Sequence, residues 1–107
     1  MIKGIGVDIV KIDRVDFIIA KKVLSSDELE IFNNASDIRK REFLAGRFAI
    51  KEAIYKAGLK KAFNELNIKY NDDNSIYLEN YNDIKISISH EKDYAIGYAI
   101  YEISIDK

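Results

Sequence analysis

FLAGRFAIKEAIYKA, residues 43 to 57, decides the fold. Set at 100° per residue, its apolar side chains fall nearly all round a helix, with Phe43, Gly46, Ile50, Ala53 and Ile54 on one arc and Leu44, Phe48 and Tyr55 on another. A helix that is apolar on most sides belongs inside the molecule. Four charges interrupt it. Glu52 and Lys56 stand one turn apart on a stripe completed only by Ala45 and Ala49, and Arg47 and Lys51 flank that stripe. Buried charge is costly unless it is paired, so this carboxylate and ammonium must meet each other, a metal or an anionic ligand. A plain Glu–Lys pair one turn apart is one of those readings. Upstream, SDIRKRE from Ser36 carries the start signal, and Gly58 is suited to leaving a helix with positive φ. The helix is therefore predicted over 37–57.

Before this helix, residues 2 to 10, IKGIGVDIV, alternate: Ile5, Val7 and Ile9 share one face, and Gly4, Gly6 and Asp8 the other. Interior glycine weakens a strand, so the pair implies that another backbone or a ligand comes close on that face. A bulge or tight packing, with Asp8 as a simple cap for the helix that follows, is the plainer reading. Residues 11 to 23 read as an amphipathic helix with Ile12, Val15, Ile19 and Val23 inward. Lys11, Arg14, Ile18 and Lys21 form an adjacent stripe, with Lys22 beside it. Ser25 or Ser26, with Asp27 and Glu28 after it, starts a short helix that ends near Asn33 and Asn34.

Beyond Gly58 the period changes from helical to alternating, through Leu66, Ile68 and Tyr70, then Ile76 and Leu78, then Ile84, Ile86 and Ile88, then Ala95 to Ile105. Turn signals at Asn71 to Asn74 and at Asn80 with Asn82 and Asp83 favour short antiparallel connections. The class is α+β: an N-terminal strand, helices including one long buried central helix, then a mostly antiparallel sheet. The only histidine, His90, stands in SISHEKDY at the end of the Ile84 to Ile88 strand. With no second His and no Cys a zinc site is disfavoured, and Ser89 beside His90 points to the opposite face, which disfavours a nucleophilic triad.

A length of 107 residues allows a single domain, residues 1–107, and 48% hydrophobic content is enough for one small core. Seventeen Lys and Arg against eighteen Asp and Glu leave a net charge of −1, so no global field holds nucleic acid and any basic site is local. The lack of Cys removes a disulfide framework, and no apolar run approaches the ~20 residues that span a bilayer. The first residues read as a strand and not as a signal peptide. The expectation is a cytoplasmic protein that binds neither membrane nor nucleic acid.

Three separated pieces, GIGVDIV, FLAGRFAIKEAIYKA and SISHE, together resemble the holo-acyl-carrier-protein synthase family of small 4′-phosphopantetheinyl transferases. The resemblance implies transfer of 4′-phosphopantetheine from coenzyme A to a serine of apo-acyl carrier protein, with Mg²⁺ required and adenosine 3′,5′-bisphosphate released. A coenzyme A-binding relative without catalysis is the rival. Such a module could lose Asp8, Glu52 and Lys56 without penalty to folding, and this chain keeps all three. By the same resemblance Asp8 and Glu52 bind the metal, Lys56 contacts the phosphates, and Arg39, Arg47, Lys51 and His90 join Lys56 in holding coenzyme A. Arg14 meets the carrier protein, with Lys21 and Lys22 extending that surface by charge complementarity. The family forms homotrimers with active sites between subunits, so the resemblance implies that Asp8, Glu52 and Lys56 come from one chain and Arg47 with His90 from its neighbour. Ala95, Gly97 and Ala99 are expected to allow close packing at the shared axis. Relative to the family, the connection after Gly58 and the turn at Asn71 to Asn74 are short, and Glu91 comes directly after His90.

Overall fold

The computed structural model describes residues 1–104. Its elements are β1 (Ile2–Lys11), α1 (Ala20–Val23), α2 (Ser26–Asn33), α3 (Asp37–Ala57), β2 (Ile68–Tyr70), β3 (Ile76–Leu78), β4 (Ile84–His90) and β5 (Tyr94–Glu102). Ile105, at the end of the expected last strand, lies outside the described residues. α3 has the predicted bounds. Ser36 Oγ accepts from the Arg39 amide at 3.3 Å at its start, and Gly58 ends it at φ +125°.

Because α3 is apolar on most sides, it divides the core into two clusters. Phe43, Leu44 and Ala45 pack with Ile12, Val15, Leu24 and Phe32, whereas Ile50, Ala53, Ile54 and Ala57 pack with Leu66, Ile68, Leu78 and Ala99. β1, β5 and β4 form one antiparallel sheet in that order, and β2 and β3 form a separate hairpin. The N-terminal strand thus joins the C-terminal half, with Asp8 opposite Gly97.

The glycine face of β1 lies under α3. A Cβ added at Gly6 would stand 1.9 Å from the carbonyl oxygen of Ala53, and one at Gly4 1.8 Å from that of Ala57. The close neighbour is therefore the helix backbone, which fills the space beside the two glycines. Asp8 continues the same face past them. The other face of the sheet is bare: Ile5, Val7 and Ile9 of β1, with Ile96 and Tyr98 of β5, are 41–59% exposed. Ala95, Gly97 and Ala99 do not belong to that face. They are buried against α3, so they cannot pack at a shared axis.

The segment expected to be one amphipathic helix is broken. β1 runs on to Lys11, and a 3-10 turn covers Ile12–Arg14. A second turn, Phe17–Ile19, comes after extended residues and leads into α1. The Asp16 carboxylate accepts from the Ile18 amide at 3.0 Å, a local bond that competes with helix, and the Ile12 amide is held by the Asp93 carbonyl at 2.8 Å. Ile12, Val15 and Val23 are nonetheless buried as expected.

Candidate functional site

Two hollows flank α3. The first, about 490 Å³, lies along β1, the edge strand, and is lined by Asp8, Lys11, Arg14, Phe48 and Glu52 among others. Lys56 Nζ donates to Asp8 Oδ1 at 3.0 Å and to the Val7 carbonyl at 3.1 Å. The ammonium therefore leaves its own helix for the strand, and the Glu52–Lys56 pair is not made. Among the described residues Glu52 has no ion-pair partner and lines the hollow partly buried.

No cluster of three His, Cys, Asp or Glu side chains among the described residues could cage an ion. Two carboxylates on one open cleft suit a hard cation such as Mg²⁺. That ion keeps several waters and is commonly held by one or two carboxylates together with substrate phosphates. Asp8 and Glu52 are the donors that fit.

Arg14 stands at the mouth of this cleft and also lines an adjoining hollow with Asp13, Asp16 and Arg41. Lys21 and Lys22 are exposed in α1, beyond the broken segment. They do not form one helical stripe with Arg14.

The second hollow, about 320 Å³, lies along β4, the opposite edge of the same sheet, and gathers Arg39, Arg47 and His90 with Phe43, Tyr70 and Ser75. Arg47 is buried. Its Nη2 donates to the Tyr70 hydroxyl at 2.9 Å, and its guanidinium lies 4.4 Å from the Phe43 ring centroid and 5.6 Å from that of Tyr70. Arg39 is half-exposed and pairs with Glu42 at 3.5 Å. His90 closes β4 and is exposed. Three cationic or cation-forming side chains on one hollow suit an anionic ligand such as a phosphate.

Lys51 has no place in either hollow. It is 0% exposed, and its Nζ bonds Glu28 Oε1 at 2.5 Å and the carbonyls of Val23, Phe63 and Leu66 at 2.9, 3.0 and 2.7 Å. Every ammonium hydrogen is used inside the protein, so the expectation that Lys51 holds coenzyme A is corrected. Desolvation pulls its pKa below the ordinary lysine value, and Glu28 opposes that shift.

Glu28 is the residue that sequence reasoning read only as a helix-start signal. Its Oε1 also accepts from the Ser25 amide at 3.0 Å, which is half of a capping box. Its Oε2 accepts from the Ile68 amide at 2.9 Å and stands 3.6 Å from Arg47 Nε. The capping half was visible in the Ser25 and Glu28 spacing. The reach to Lys51 and Ile68 had no local signal.

The two hollows share no lining residue. They sit on opposite edges of a three-stranded sheet with β5 between them, which separates β1 from β4 by about 10 Å of sheet. One chain therefore presents a carboxylate–ammonium cleft at one edge and a cationic hollow at the other.

Residues 4–99 match the family model of the 4′-phosphopantetheinyl transferase superfamily. The chain is 46% identical over 106 residues to a holo-[acyl-carrier-protein] synthase of Mycoplasma capricolum, with 94% of each chain covered. It is 42% identical over 118 residues to one of Staphylococcus aureus, covering 97% of this chain and 98% of the relative. Among solved structures it is similar to a holo-(acyl-carrier-protein) synthase from Bacillus anthracis in complex with CoA (3′,5′-ADP). That match has a TM-score of 0.87 and 31% identity over 97% of this chain and 99% of the other.

Proposed function

The chain belongs to the 4′-phosphopantetheinyl transferase superfamily, in its holo-acyl-carrier-protein synthase family, and on that premise we propose the reaction and the role of each residue. As a transferase it moves 4′-phosphopantetheine from coenzyme A to a serine of apo-acyl carrier protein and releases adenosine 3′,5′-bisphosphate. The product is a carrier primed for fatty-acid synthesis, and the reaction belongs in the cytoplasm. The observation that carries this reading is the pair of hollows, one lined by the carboxylates of Asp8 and Glu52 and the other by Arg39, Arg47 and His90.

The serine hydroxyl attacks the phosphorus on the pantetheine side of the pyrophosphate and releases its proton to water. The bond from that phosphorus to the bridging oxygen breaks, and the electron pair leaves on adenosine 3′,5′-bisphosphate. Asp8 and Glu52 would hold Mg²⁺, which when bound supplies positive charge to the pyrophosphate oxygens. Lys56, tethered by Asp8, presents its ammonium to the leaving phosphate. Arg39, Arg47 and His90 bind the phosphates of coenzyme A and so select it over shorter pantetheine compounds. Arg14, exposed at the mouth of the carboxylate cleft, meets the acidic surface of the carrier protein, with Lys21 and Lys22 farther along that side.

We further propose a homotrimer whose active sites lie between subunits. Two features support it. The hollows lie on opposite edges of one sheet, so a ring in which each copy turns its β4 edge to the next copy's β1 edge would unite the two halves of the site. The bare sheet face of Ile5, Val7, Ile9, Ile96 and Tyr98 is contiguous, apolar and exposed, a surface that such a ring would cover.

The test is incubation of the protein with apo-acyl carrier protein, coenzyme A and Mg²⁺, read by intact mass spectrometry. The proposal requires the phosphopantetheine mass increment on the carrier serine and none when Mg²⁺ is chelated. Binding of coenzyme A with no increment would reduce the protein to an idle binding module.

A further inference from the structure

We propose that Tyr70 is a positioning residue for Arg47 and, through it, a determinant of coenzyme A recognition. The inference rests on the reading of the β4-edge hollow as the coenzyme A site. Tyr70 ends β2, the first strand of the hairpin, and is 46% exposed at the rim of that hollow. Its hydroxyl nevertheless accepts from the buried Arg47, and this is the one hydrogen bond that the Arg47 side chain makes among the described residues. Arg47 Nε is buried without a hydrogen-bond partner, because Glu28 Oε2 stands 3.6 Å away, outside hydrogen-bonding range. The guanidinium is otherwise held by its buried ion pair with Glu28 and by the faces of Phe43 and Tyr70.

An arginine recognises phosphate through the direction of its planar fork, and the Tyr70 bond is the directional contact at Nη2, so its loss loosens the aim of the fork while the Glu28 ion pair keeps the charge in place. The hairpin does not depend on Tyr70 for its fold. Ile68 and Leu78 anchor it in the core, and the Ile68 amide is bonded to Glu28. The tyrosine belongs to neither core cluster. Its position on the rim is explained by Arg47 and by the ligand, which it would cover with an aromatic face.

The experiment measures adenosine 3′,5′-bisphosphate binding by calorimetry in Tyr70→Phe, Tyr70→Leu, Arg47→Ala and the Tyr70→Phe/Arg47→Ala double variant, and KM and kcat for coenzyme A in the two single tyrosine variants. Tyr70→Phe should weaken binding about fivefold, the worth of one net hydrogen bond, with KM rising more than kcat falls. Tyr70→Leu, which also removes the ring face, should weaken it further. In the Arg47→Ala background Tyr70→Phe should add less than about twofold, because the bond it removes is already gone. Binding by Tyr70→Phe equal to the natural protein, beside a weakened Arg47→Ala, would overturn the positioning role alone. So would full additivity of the two changes. Unchanged binding by Arg47→Ala would overturn the hollow as the nucleotide site and the Tyr70 role with it.

Discussion

Lys56 Nζ lies 3.0 Å from Asp8 Oδ1, across from its helix to the first strand, although Glu52 is one turn away on the same helix. The pair joins residues 48 apart in sequence. Among the described residues it leaves Glu52 without an ion-pair partner on a cleft it shares with Asp8, which is the arrangement a Mg²⁺ bound to substrate phosphates would use.

Asp8→Ala and Glu52→Ala should each lower carrier-protein modification by roughly two orders of magnitude or more, several kcal/mol of transition-state stabilisation, while leaving a folded protein. Transfer assays at ordinary and raised Mg²⁺, with circular dichroism of each variant, check this. Near-natural rates in either variant at ordinary Mg²⁺ would remove that carboxylate from the site.

Arg14→Glu should weaken carrier-protein binding more than coenzyme A binding, and the natural affinity should fall as salt is raised. Screening acts over about 8 Å at physiological ionic strength, so exposed rim charges respond strongly. Equal losses for both ligands would count against a docking role.

Lys51→Met should destabilise the protein by ~3–5 kcal/mol, because Glu28 would keep a buried charge without its ammonium. Adding Glu28→Leu should recover part of that loss, as measured by urea unfolding. The pH dependence has a definite sign. With Lys51 held below 10.5 in the folded state, the unfolded chain binds more protons between that lowered value and 10.5. Its contribution to stability is thus greatest above 10.5 and declines as pH falls through the folded pKa. Unfolding in that window should take up a proton that Lys51→Met does not.

Val7→Asp or Tyr98→Asp, on the bare sheet face, should lower the assembly state in sedimentation and reduce transfer along with it. Mixing Glu52→Ala with Arg47→Ala, each inactive alone, should restore activity through hybrid interfaces once subunits exchange. No restoration despite confirmed exchange would mean that both halves act within one chain.

What the sequence determined by itself is what short-range physics specifies. Ser36 and Gly58 set the ends of α3 because caps act within one turn, and the all-round apolar pattern placed that helix inside. Asp8, Glu52, Lys56, Arg39, Arg47 and His90 were legible as a motif set, and the structure gathers them around two hollows. Their split onto opposite sheet edges was not legible, because strand order depends on pairing between residues about 90 apart. The fates of Lys51 and Lys56 likewise waited on the tertiary fold. Both are ammonium groups on one helix, and only the placement of Glu28 and Asp8 by other elements sends the first into the core and the second to the cleft. The same holds for residues 11 to 23, where helical periodicity was real but local side-chain bonding at Asp16 and the tie to Asp93 broke the helix. A long-range contact has no signature in the spacing of its neighbours, since its free energy arises only when distant segments are brought together.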